Sequence, residues 1–193
     1  MKIPSVKIIA LSLLVGSVAF TSCKKKVTTN PAGPGNDVEV KLYCSGSEYQ
    51  NSKEYFRATA TGESTDRETA KKKAMSNARN YIASNINTTV KAVTDNYVNS
   101  REYNNSEEVE ERFESLSREI VNQELAGLNI ICEKVTQNSQ TKKFSYYIAM
   151  ELSGADLLAK MNEGITKDER LKVDYDYEKF KETFNEEMNK MEK

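Results

Sequence analysis

The sequence predicts an α+β domain, a small and mostly antiparallel three-stranded sheet packed by long helices on one face, with a further helix at the C terminus. Three observations predict it. Residues 55–62, YFRATATG, alternate apolar and polar side chains at strand period. Residues 65–93 carry apolar side chains at three- and four-residue steps, the helical period. Residues 128–137 and 142–152 are two alternating runs separated by NSQT, the pattern of a hairpin. The order strand, helix, helix, strand, strand, helix fits helices layered on an antiparallel sheet.

Each element has a local reason. In the first strand Phe56, Ala58 and Ala60 share one face, Tyr55, Arg57, Thr59 and Thr61 the other, and Gly62 ends it. Thr65 and Glu68 have capping-box spacing at the start of the first helix. Its stripe runs Ala70, Ala74, Ala78, Tyr81, Ile82, Ile86, Val90, Val93, so its early part allows close approach and its later part fills a wider gap. A polar break, NSREYNNS at 99–106, precedes a second helix whose Val109, Phe113, Leu116, Ile120 and Leu125 share a face, and Gly127 stops it. In the hairpin, Leu128, Ile130, Cys132 and Val135 lie roughly on one side of the first strand, and Phe144, Tyr146, Ile148 and Met150 alternate along the second. A short helix follows over about 153–162. The tail 166–193 opens with Thr166 and Glu169 as a second capping box and places Tyr177, Phe180, Phe184, Met188 and Met191 at near-heptad spacing. That face either packs on its own domain or binds a partner, a second copy included, and the pattern fits both.

With 193 residues, 38% hydrophobic and 30% charged, the chain has material for one domain and accessory segments. A net charge of -1 argues against a nucleic-acid partner held through phosphates. The chain has no histidine, which removes the usual general base near neutral pH and the commonest metal ligand. The eight glycines are scattered, and neither a phosphate loop nor a calcium loop is present. Glu107/Glu108, Glu110/Glu111 and Glu186/Glu187 read as solvated helix faces rather than acid–base couples. The reading is therefore non-enzymatic, with no metal or cofactor.

The N terminus carries the most specific signal. Lys2 and Lys7 precede the apolar run IIALSLLVGSVAF at 8–20, too short to span a bilayer, and small or hydroxyl residues lead to Cys23. Residues 1–22 thus read as a signal peptide. Cys23 stands at the cleavage point in a stretch that resembles the lipobox of bacterial lipoproteins, although Phe20 and Ser22 replace the usual Leu or Val and Gly or Ala; such loosened lipoboxes resemble those of Bacteroidetes-type bacteria. The resemblance implies a diacylglyceryl and N-acyl lipid on Cys23 as the covalent anchor, with Lys24, Lys25 and Lys26 at the headgroups. Several acyl chains hold a bilayer firmly where one does not. In the Bacteroidetes-type lipoproteins it resembles, acidic residues just after the cysteine are associated with surface export; none stands there in this chain, so the resemblance implies the periplasmic face of the outer membrane. Residues 23–37, containing Pro31, Gly33, Pro34 and Gly35, read as a flexible tether, leaving 38–165 as the domain and 166–193 as the C-terminal amphipathic helix.

YFRATATG, the alanine-spaced helix ETAKKKAMSNARNYIASNI and the hairpin ending FSYYIAMEL together resemble the twenty-kilodalton outer-membrane lipoprotein family, a layout shared with the N-terminal domain of the flagellar assembly protein FlgT. The similarity spans about 54–161 and rests on pattern. It implies an envelope-anchored, non-catalytic structural or interaction module, with an envelope protein or cell-wall component as partner, and it carries no active site across.

With Cys23 taken by lipid, Cys44 and Cys132 remain as an even pair in an oxidising compartment. A disulfide between them and two separate thiols are both open. The residues to watch for ligand or partner contact are Arg57, Arg79, Tyr146 and Tyr147, together with Tyr49, Tyr55 and Tyr81. If they met in a cleft between sheet and helices, they would suit a small ligand or glycan.

Overall fold

The computed structural model describes residues 40–100 and 106–191; the expected signal peptide at 1–22, the expected lipidation site Cys23 and the expected tether up to residue 37 lie outside the described residues. The architecture is α+β. Strands β1 (Tyr55–Ser64), β2 (Asn129–Gln137) and β3 (Phe144–Ser153) form one antiparallel sheet in the order β1-β3-β2. Among the described residues four α-helices accompany it: α1 (Arg67–Asn99), α2 (Ser106–Glu124), α3 (Gly154–Lys167) and α4 (Tyr177–Asn189).

Helix α1 organises the core. At 1.5 Å per residue it is about 50 Å long, and its two halves meet different partners. Ala70, Ala74 and Ala78, all fully buried, let the first half lie close on the sheet. At Gly62 the approach is tightest: an added Cβ would stand 2.3 Å from the Ala70 carbonyl oxygen and 2.4 Å from the Ala74 nitrogen, so only glycine fits. From the sheet, Phe56 and Ala58 of β1 and Tyr146, Ile148, Met150 and Leu152 of β3 turn toward the helices. The second half of α1 meets α2 and α4 through an aromatic cluster. Tyr97 lies edge-on to Phe113, Tyr175 and Phe180, with ring centroids 5.7, 6.2 and 5.3 Å away. The Tyr97 hydroxyl accepts the Asp176 backbone N–H at 2.8 Å, fixing where α4 begins.

Several expectations are corrected by this geometry. The N-cap of α1 is Asp66, whose carboxylate accepts the Thr69 N–H at 2.7 Å, and not Thr65; an ionised Asp at that place also favours the helix dipole. Helix α3 runs on to Lys167, so Thr166 sits inside it and its hydroxyl bonds back to the Asn162 carbonyl rather than opening the next helix. The tail helix starts eleven residues later than its expected opening at Thr166, at Tyr177, capped by Asp176. Between them Asp168, 8% exposed, caps the short turn Leu171–Val173 by accepting the Arg170 and Leu171 N–H groups at 3.0 and 3.1 Å, and pairs with Arg112 at 2.6 Å. Burial pushes its carboxyl up, but the Leu171 N–H, the Arg112 guanidinium and the Arg170 N–H together hold it below the ordinary value.

The near-heptad face of α4 is spent on the core: Phe180, Phe184 and Met188 are buried, while Tyr177 stays 37% exposed. Glu187 is not the solvated residue its charge suggests. It is buried, and its carboxylate accepts from Asn96 at 2.8 Å and pairs with Lys190. Tyr81 also leaves the expected stripe and stands 60% exposed beside buried Ile82, because adjacent helix positions cannot face one core.

Strand β2 differs most from its expected role. None of its residues is buried, and Ile130 and Val135 are 40% and 47% exposed. A β-bulge between Ile130 and Cys132 shifts the alternation, so Ile130 and Val135 pair beside helix-facing Met150 and Tyr146 while Cys132 pairs with Ala149. The four residues expected on one side are therefore divided between two.

Candidate interaction site

The outer face of the sheet, turned away from α1, is built from the odd-numbered positions of β1 and β3. Cys44 lies there, buried, and forms a disulfide with Cys132, with Cα atoms 5.7 Å apart. Cys44 itself has φ 56°, the left-handed region that suits a sharp turn. The bond holds the segment beginning at Val40 across this face, and Tyr43 packs edge-on to Tyr147 with centroids 5.3 Å apart. Further along, Arg57 donates Nε to Glu151 at 2.9 Å and stacks its guanidinium 4.6 Å from the Tyr55 ring centre.

Arg57, Arg79, Tyr146 and Tyr147, four of the seven residues singled out from the sequence, do not converge on one cleft. Arg57 and Tyr147 share the outer face, where Arg57 is already ion-paired. Tyr146 points to the helix side and is 5% exposed, with Lys71 over its ring at 5.6 Å. Arg79 is a strut, donating Nε to the Leu125 carbonyl at the end of α2 at 3.2 Å. A cleft joining these arginines and tyrosines is therefore not formed.

Clefts open elsewhere among the described residues, two of them beside α1. One, of about 360 Å³, lies between α1 and α2 and includes Lys91, Thr94, Glu114, Ser117 and Arg118. Lys91 bridges to Glu114 at 3.2 Å across it, and the buried hydroxyls of Thr94 and Ser117 have no hydrogen-bond partner among the described residues. The other, of about 260 Å³, opens at the free edge of β1. Its walls are Leu42 and Tyr43 on one side, Asn77 and Tyr81 on the other, with Thr59 and Thr61 between. Leu42, Tyr43 and Tyr81 are each more than half exposed.

These wall residues were outside the sequence-based shortlist except for Tyr81, whose signal was present: it stands next to Ile82 in a stripe that admits one of the two. Thr59 carried no signal, since its importance comes from its backbone. Among the described residues no group of three or more Cys, Asp or Glu side chains is arranged to hold a metal ion, and no helix is long and apolar enough to cross a membrane. Compared with known protein families, with curated proteins and with solved structures, the chain matches none.

Proposed function

We propose that the protein is a lipid-anchored, non-catalytic interaction module of the bacterial cell envelope, held at the periplasmic face of the outer membrane through Cys23. The observation that carries the reading is the Cys44–Cys132 disulfide, because such bonds persist in oxidising compartments and are rare in reducing ones. It agrees with a signal-like segment at 1–22, and because Cys44 and Cys132 are joined to each other neither competes for Cys23, the residue acylation would use. The resemblance to twenty-kilodalton outer-membrane lipoproteins points the same way.

The test is metabolic labelling of the full chain with an alkyne fatty acid in a bacterium that processes lipoproteins, followed by fractionation. Label and protein should travel together in the outer membrane, and Cys23→Ala should lose both label and membrane association. A variant that stays membrane-bound would sink the reading. A second reading, a lipoprotein that binds a small ligand or glycan, is favoured by the α1–α2 cleft, whose Thr94 and Ser117 hydroxyls are buried without partners among the described residues. Retention of a glycan by the purified chain, lost in Ser117→Ala, would favour it.

A further inference from the structure

Strand β1 is a sheet edge, and its outward backbone groups can be accounted for one by one. Four contacts define which groups point away from β3. The Tyr55 carbonyl accepts from the Ser52 N–H, the Arg57 N–H donates to the Asn51 side chain at 2.7 Å, the Thr61 carbonyl accepts from the Asn77 side chain at 3.1 Å, and the Glu63 carbonyl accepts from Lys73 at 3.1 Å. All four belong to odd-numbered residues, so in the alternation of an antiparallel pair Thr59 also faces outward with both its N–H and its carbonyl. Neither Thr59 group, nor the Arg57 carbonyl, nor the Thr61 N–H, has a hydrogen-bond partner among the described residues. The two asparagine side chains thus satisfy the edge on either side and leave a window at Thr59, where the second cleft opens.

The window presents acceptor, donor, acceptor and donor in ladder order, between walls that carry exposed aromatic rings and no charge. An extended polypeptide backbone matches that alternation, and β-strand addition is an established way of capturing one. We infer that the β1 edge at Thr59 captures an extended, uncharged segment of a partner protein, with apolar side chains between Tyr43 and Tyr81. A second copy of this chain fits poorly, because a recessed edge cannot meet another edge recessed between the same walls. The chain's own N-terminal segment fits poorly as well. The residues just before Leu42 carry the charges of Glu39 and Lys41, and Pro31 and Pro34 further back lack N–H donors. The other edge of the sheet, on β2, is blunted by Glu133 and Lys134 and by the bulge.

This deepens the interaction-module reading but does not depend on the anchor, so failure of Cys23→Ala to release the protein and failure of peptide capture are separate results. Residue-resolved hydrogen exchange on the full chain tests it, with the synthetic peptide acetyl-Val-Thr-Val-Thr-Val-amide as probe. In the free protein the Thr59 and Thr61 amides should exchange rapidly while Ala58 and Ala60 are protected, and the peptide should protect Thr59 and Thr61. Thr59→Pro removes an N–H that faces away from β3, so the fold should survive and peptide capture should weaken about tenfold or more, the order expected for a lost backbone hydrogen bond. Tyr81→Ser should weaken capture without touching the ladder. Thr59 already protected in the free chain would mean that its own N-terminal segment fills the edge. Protection that grows with protein concentration would mean a second copy, and peptide binding indifferent to Thr59→Pro would place it elsewhere; each of these overturns the inference.

Discussion

The two outer strands of the sheet are held by different forces. On β1, Phe56 and Ala58 are buried under α1, and Gly62 lets the strand touch the helix backbone. On β2 no residue is buried, and what holds it is its ladder with β3, the Lys71–Glu133 bridge at 3.0 Å and the disulfide. An exposed salt bridge contributes little, so the crosslink is the principal non-ladder constraint on β2. The difference teaches that this domain has one hydrophobic side and one stapled side. The chain between Ser64 and Asn129 went into helices that cover β1 and β3 and leave β2 outside the core.

The largest effect should come from the staple. The bond closes a loop of 88 residues in sequence separation, for which the chain-entropy model gives roughly 4–5 kcal/mol. Cys132→Ala should therefore lower stability in urea by up to that amount, and hydrogen exchange should speed first in β2 while α1 stays protected. Uniform loss of protection would break the division into two sides. Next, Phe180→Ala removes a fully buried ring stacked on Phe113 and edge-on to Tyr97, at a cost of about 3–5 kcal/mol. Its signature should be the reverse: global unfolding with no selective release of β2, read by the same exchange experiment.

The smallest effect concerns Asp168. Its folded pKa lies below the ordinary 3.8, so its ionised form adds stability that is fully present above that value and lost as pH falls below it through the depressed pKa. Asp168→Asn keeps much of the cap but loses the attraction to half-exposed Arg112, a contribution of about 1 kcal/mol or less. The stability gap between wild type and variant should be constant near neutrality and close below pH 3.8; a gap that widens in acid would show that the charge is not what matters there.

Much of the helical layer was legible because period alone determines it. The alanine and aliphatic stripe of α1, the Val109–Leu125 face of α2 and the alternation of β3 all came through, since each needs only a repeated spacing and one buried side. What was not legible depended on contacts distant in the chain. Tyr97 looks like an isolated tyrosine near a polar break, yet it is fully buried and sets the start of α4 from 79 residues away. Glu187 reads as surface until Asn96 is placed opposite it. The bulge at Ile130 reverses a face with no mark in composition. The edge window at Thr59 is a property of backbone groups that every residue carries, so side-chain motifs could not point to it.

The disulfide also decides how the fold bears a pull. When the chain is drawn by its amino terminus, tension arriving at Cys44 divides into two paths. One continues along the backbone into β1 and the other crosses the sulfur bridge into β2, the two strands that flank β3. The sheet is then loaded from both margins at once, and neither outer strand can be peeled away while the other stays slack. Drawn in this way, the domain resists unravelling as a clamp does, by sharing the strain between its jaws.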